Sequence, residues 1–192
     1  MNHFAAKRFR GQQYTLEHLQ PMILQVPLSP AGKPPISVSI VVRFGCHCFT
    51  VSFRDDIHGD EHRYTHPGEL RAFDETRYWC SRQLPTVIAG MLGGMIYWSR
   101  ESYTYVAQVV LPMADGPRDY SLFFSLTKNH ASLLPALNMY VKSAYLRNLA
   151  ASTGAQRWRF RSLVGLVAGV YQEQENARPK KKKAPKGLSQ AR

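Results

Sequence analysis

The stretch between Tyr103 and Tyr145 limits the fold more than any other part of the chain, because it alternates with period two three times over. Tyr103, Tyr105, Ala107, Val109 and Leu111 interleave with Thr104, Val106, Gln108 and Val110. Beyond Asp115-Gly116-Pro117, Tyr120, Leu122, Phe124 and Leu126 interleave with Ser121, Phe123, Ser125 and Thr127. Leu137, Met139, Val141, Ser143 and Tyr145 then oppose Asn138, Tyr140, Lys142 and Ala144. Side chains on a strand change face at every residue. Runs of this kind, rich in aromatic and β-branched types, therefore predict three strands, each with an inner and an outer face. Parallel neighbours would need a crossover of about a dozen residues or more, so the short links make the three an antiparallel meander.

Upstream, Ile36, Val38, Ile40, Val42 and Phe44 keep one parity, while Phe49, Val51 and Phe53 keep the other. The switch demands a bulge or tight turn between Phe44 and Phe49, with Gly45 its natural place; one bent strand or a hairpin satisfies the pattern. Residues 1–35 carry Pro21, Pro27, Pro30, Pro34 and Pro35, which favour an extended arm over a layer of the core, with a short helix or strand within Tyr14–Leu24. Asp55–Pro67 is polar and reads as an exposed loop. Gly68–Ser81 reads as a helix with Leu70, Phe73 and Cys80 on one face. Pro85 opens a second short helix through Leu92, ended by Gly93-Gly94. After a small-residue break at Ala151–Gly154, a helix is expected over Gln156–Tyr171, with Phe160, Leu163, Val164, Val167 and Val170 on its apolar side. The order strands, helices, strands, helix indicates an α+β protein. Its expected parts are an arm (1–35), one domain (36–175) and a disordered, low-complexity basic tail (176–192).

A hydrophobic content of 44% is that of a folded globule and excludes wholesale disorder. The net charge is +12, of which seven lie in the acid-free residues 178–192, leaving five for the rest. A basic surface of this kind suits a polyanionic partner, and the expectation is nucleic acid, RNA rather than DNA. No apolar run approaches the ~20 residues of a membrane helix, and the basic N-terminus has no apolar stretch behind it, so neither membrane nor secretion is expected. Three cysteines, two of them separated by one residue, fit a reduced, cytoplasmic protein.

Cys46-His47-Cys48 joins two thiols and an imidazole, the donor types of zinc. On a strand the cysteines share one face and His47 takes the other, so the triplet is expected to be buried thiols beside an outward histidine, with no metal and no cofactor. His58, His62 and His66 fall at i, i+4 and i+8, but Gly59 and Pro67 oppose the helix that would align them. His66 remains an acid–base candidate because histidine titrates near neutrality. Arg71, Arg77 and Arg82 form either a phosphate-gripping side of the 68–81 helix or a solvated one, in which Arg71 pairs with Glu75 and Asp74 with Arg77. Lys128 and His130 follow the second meander strand, and Ser143 and Tyr145 end the third. Such groups suit metal-free phosphodiester cleavage: one takes the 2′-hydroxyl proton, another protonates the leaving 5′-oxygen, and a cation stabilises the phosphorane. Lys142 and the tail residues Lys180, Lys181, Lys182 and Lys183 are candidate phosphate contacts, which raise affinity through counterion release.

The segments Tyr120-Ser-Leu-Phe-Phe-Ser-Leu-Thr-Lys128 and Val141-Lys-Ser-Ala-Tyr145 resemble the closing strands of toxin-type ribonucleases of the barnase–EndoU–colicin–RelE-like superfamily, including those of phages and plasmids. The likeness covers about residues 68–147; the strand-rich segment 36–54 lies outside it. It implies a helical part packed on an antiparallel sheet and RNA cleavage without metal on the sheet's open face. It also implies Lys128, Ser143 and Tyr145 near that face, with His66 and Arg71 approaching from the helix. Two functional expectations follow. One is a metal-independent endoribonuclease, a toxin-like factor of a mobile element with an antitoxin or other protein partner. The other is a non-catalytic module that binds nucleic acid or a protein through Tyr103, Tyr105, Tyr120, Phe123 and Tyr140.

Overall fold

A computed structural model describes residues 4–99, 104–132, 134, 136–147 and 157–171. The first half contains β1 (Lys7–Phe9), β2 (Gln12–Tyr14), β3 (Met22–Leu28), β4 (Ile36–His47), β5 (Thr50–Ser52), β6 (Arg63–His66) and β7 (Glu69–Phe73). Helices α1 (Glu75–Ser81) and α2 (Leu84–Gly90) follow. The remainder is β8 (Met95–Ser99), β9 (Thr104–Met113), β10 (Gly116–Lys128), β11 (Ala136–Leu146), β12 (Arg157–Arg159) and α3 (Phe160–Ala168). The chain is α+β. Among the described residues no helix is long and apolar enough to cross a membrane.

The meander forms as the alternation dictates, with Tyr120 of β10 opposite Val109 of β9 and Leu146 of β11. It is the middle of a seven-stranded sheet in the order β12-β8-β9-β10-β11-β4-β3. β4 joins β11 in parallel, and β3 closes that edge antiparallel to β4. The inner face holds Tyr120, Leu122, Phe124, Met139 and Val141, all buried, and α3 adds Phe160, Leu163 and Val164, with the Phe124 and Phe160 rings 6.2 Å apart. A second sheet, β5-β7-β6, takes over the chain when it leaves β4.

Four expectations need correction. The expected 1–35 arm is, over its described residues 4–35, part of the core: Leu24, Val26 and Leu28 of β3 are buried, as are Phe9, Tyr14, Leu16 and Leu19. Pro27 sits in that strand because an edge strand can spare the N–H that proline lacks. Gly68–Ser81 is not one helix, and Arg63–His66 of the expected loop is a strand. The chain reverses at Pro67-Gly68, where Gly68 has φ +82°, and β7 pairs with both β6 and β5. The helix starts only at Glu75, where the Asp74 carboxylate caps it by accepting from the Arg77 backbone N–H at 2.7 Å. The final helix is likewise confined to Phe160–Ala168. Arg157–Arg159 is spent pairing with β8, and left-handed Gly169 (φ +75°) ends the helix. The break at 151–154 and the basic tail, with Lys180, Lys181, Lys182 and Lys183, lie outside the described residues.

Candidate functional site

The parity switch read around Gly45 is a corner at which β4 passes from the large sheet to the small one. Opposite β11, Val141 pairs with Phe44 but Ser143 pairs with His47, so Gly45 and Cys46 together face Lys142. Lys142 is itself the extra residue against β10, where Val141 and Ser143 pair with the adjacent Phe124 and Phe123. Turn bonds from Cys48 N–H to the Gly45 carbonyl and from Phe49 N–H to the Cys46 carbonyl, both 3.1 Å, redirect the chain into β5. Glycine is required at the corner because of close approach. A Cβ on residue 45 would lie 2.6 Å from the Tyr140 hydroxyl and 2.8 Å from the Lys142 carbonyl.

Polar groups converge on this corner. The His47 ring Nε2 lies 3.0 Å from Glu69 Oε2, and Arg71 Nη1 donates to the other carboxylate oxygen, Oε1, at 2.9 Å. Arg71 is buried and its Nε donates to the Thr50 hydroxyl at 3.1 Å, while that hydroxyl donates to the Cys46 carbonyl at 2.7 Å. The hydrogen bond from His47 and then that from Arg71 hold the Glu69 carboxyl below the usual carboxylate range, against the opposing effect of burial. Burial pushes the Cys46 thiol up, and pushes that of Cys48 up to about 12, so both are protonated near neutrality. The Tyr140 hydroxyl is raised by burial first and then by Cys46, Cys48 and Glu69. Cys46, His47 and Glu69 each bring one ligand-type atom to within 4.8 Å of the other two.

The expected catalytic set is only partly brought together. Ser143 and Lys142 belong to the corner by register, and Arg71 belongs to it by its bond to Glu69. Arg77 reaches in from α1, where Nη1 donates to the carbonyls of His47 (3.0 Å) and Thr50 (2.8 Å). Its guanidinium lies 4.7 Å from the Tyr145 ring centroid, and Tyr145 stacks on Phe123. Neither arginine makes the helix-face pair expected of it. Arg71 is on a strand and meets Glu69 rather than Glu75, and Asp74 binds a backbone N–H rather than the Arg77 side chain. His66 is the cross-strand neighbour of Glu69, with its ring 5.2 Å from that of Phe4. Lys128 is elsewhere. Ser143 and Tyr145 pair with Phe123 and Ser121, so at ~3.3 Å per residue Lys128 lies roughly 17 Å and 23 Å along β10 from those positions. The exposed His130 follows Lys128 away from the corner, and Arg82 stacks on Trp79 beyond the end of α1. Lys128, His66 and Tyr145 cannot share one phosphate.

Of the aromatics expected to be exposed, Tyr120 and Phe123 are buried and Tyr103 lies outside the described residues. Tyr140 is exposed, at 46%. It is the cross-strand neighbour of exposed Arg43, whose side chain donates to Asn138 at 3.3 Å, and it is two residues from exposed Lys142. Strands β3, β4 and β11 contain no aspartate or glutamate. Glu69 and Arg43 escaped the sequence reading, and His47 entered it only as the outward histidine beside two thiols. The parity break pointed to the neighbourhood of His47, but nothing in the spacing tied it to Glu69, 22 residues on.

No curated protein and no solved structure matches the chain. A family model, described as the YjaZ family, matches residues 6–168, a span that takes in strands β1 to β12, the corner and helices α1, α2 and α3.

Proposed function

The chain belongs to the YjaZ family, and we propose, from the geometry of the corner, that it binds single-stranded nucleic acid, RNA before DNA, on the outer face of β4 and β11 around Tyr140. The observation that carries this reading is one exposed aromatic ring set between Arg43 and Lys142 on strands without a carboxylate. Ring stacking accepts any base, and the two cations engage the backbone phosphates on either side. The net charge of +12 adds long-range attraction. Binding is proposed rather than cleavage because Lys128 and His130, the cation and imidazole expected to serve cleavage beside Ser143 and Tyr145, lie far along β10 from both. Three free, buried cysteines support a reducing, cytoplasmic setting.

The test is fluorescence anisotropy with a single-stranded RNA oligomer, run over a series of salt concentrations on the full chain. Tyr140→Ala is expected to cost about 1–3 kcal/mol, roughly five- to 150-fold in Kd. Replacing Arg43 and Lys142 by Gln should flatten the log–log salt slope by about 0.7 per charge. The RNA should be recovered intact. Parental affinity in Tyr140→Ala, with binding lost only on removal of residues 178–192, would transfer the activity to the tail and end this reading.

A further inference from the structure

We infer that Cys46, His47 and Glu69 form a three-donor site for a zinc ion, independent of the nucleic-acid reading. Their ligand-type atoms lie within 4.8 Å of one another, and among the described residues no other set of three or more such groups gathers in this way. Around a tetrahedral zinc, donors at ~2.0–2.3 Å from the ion stand about 3.5 Å from each other. The His47–Glu69 separation of 3.0 Å is already on that scale, so closure asks for an approach of about an ångström at the longest edge.

The distorted backbone is what makes the set possible. On a regular strand Cys46 and His47 would point to opposite faces, whereas here the register break and the turn at 45–49 bring their donors to one side. The carboxylate is also divided in the required way. Arg71 occupies Oε1 and leaves Oε2 facing His47, which orients a monodentate ligand from behind. Arg71 is in turn fixed by Thr50, whose hydroxyl donates to the Cys46 carbonyl, so one buried hydrogen-bond chain links two of the donors. Thiol, imidazole and carboxylate together suit zinc better than magnesium or calcium, which favour all-oxygen sites. Glu69 is 43% exposed and His47 32%, so the fourth position opens to solvent, as in zinc sites that bind water or a substrate oxygen. Binding releases the thiol proton to solvent, and no redox change is involved.

The experiment is a cobalt titration of the full chain, stripped of metal and kept reduced, followed by displacement with zinc and a count of zinc per chain. One ion per chain is expected, with a thiolate-to-cobalt charge-transfer band and d–d bands of tetrahedral intensity, all removed by zinc. Cys46→Ser should abolish the charge-transfer band. Glu69→Gln, a change at an exposed position, should weaken cobalt binding by about tenfold or more, and Cys48→Ala should leave it unaltered. Circular dichroism confirms folding of each variant, and Glu69→Gln keeps the test decisive if Cys46→Ser does not fold. Cobalt bound without a thiolate band would place the ion elsewhere, for instance at His58 and His62, and overturn the proposal. So would a band lost in Cys48→Ala, or affinity unchanged in Glu69→Gln.

Discussion

Along β10 the inner row of Tyr120, Leu122 and Phe124 is fully buried, and even the Tyr120 hydroxyl has no hydrogen-bond partner among the described residues. At the corner between β4 and β5, burial is just as deep for Thr50 and nearly so for Arg71, yet their polar atoms are spoken for, by the Cys46 carbonyl, by Glu69 and by each other. The meander is held by apolar area, which is non-directional and tolerates substitution of similar volume. The corner is held by directional bonds and close backbone approach, which constrain the orientation of side chains as well as their burial. The proposed sites are at the corner for that reason: a rigid polar framework can present donors, whereas an apolar row can only exclude water.

The largest effect should come from breaking the corner sterically. Gly45→Ala would put a methyl 2.6 Å from the Tyr140 hydroxyl and 2.8 Å from the Lys142 carbonyl. The expected cost is about 1–3 kcal/mol in urea unfolding, typical of overpacking. Adding Tyr140→Phe should recover only part of it, because the main-chain oxygen of Lys142 cannot step aside. Full recovery in the double variant would mean that the ring alone, and not the paired backbones, requires glycine.

The meander should answer with the opposite sign. Tyr120→Phe removes a buried hydroxyl that has no hydrogen-bond partner among the described residues, and burial already pushes its ionisation far above the ordinary tyrosine range. Stability is expected to rise by about 1 kcal/mol, the penalty of an unmade bond recovered. A clear loss would show that the hydroxyl has a partner, and that directional bonds hold β10 as they hold the corner.

What could be read from the sequence divides along the same line. The meander was legible because fifteen or so alternating positions, rich in aromatic and β-branched types, leave one periodicity standing. The parity break around Gly45 was legible too, since a side-chain face cannot change without a bulge. β7 was missed because Leu70-Arg71-Ala72-Phe73 fits a helix as well as a strand. The deciding signal was His66-Pro67-Gly68-Glu69, a turn with glycine at its left-handed position. β3 was missed because Pro27 was weighed as a breaker rather than as an edge residue. The convergence of Glu69 on His47 depends on how two sheets meet, which no local pattern encodes, and the dispersal of Lys128 and His130 follows from register alone.

The smallest effect, and the sharpest probe of directional burial, is acid acting on His18. Its Nε2 lies 2.8 Å from the Ser81 hydroxyl, which donates to the Tyr78 carbonyl at 2.7 Å. The hydroxyl proton is thus committed, so Nε2 carries the imidazole proton and donates to Ser81. Burial, and next to it the charge of Arg82, lowers the His18 pKa from 6.5 to about 4. The unfolded chain therefore binds more protons than the folded one between those values, and stability must fall as pH drops through that window. Because His18 is only partly buried, solvent screening keeps the loss small. His18→Gln retains a donor for Ser81 but cannot charge, so its urea midpoint should decline less steeply than that of the parent between pH 6.5 and 4. Parallel slopes would show that the ring leaves its buried place before it takes up a proton, and that directional bonding on the α1 side yields more readily than at the corner.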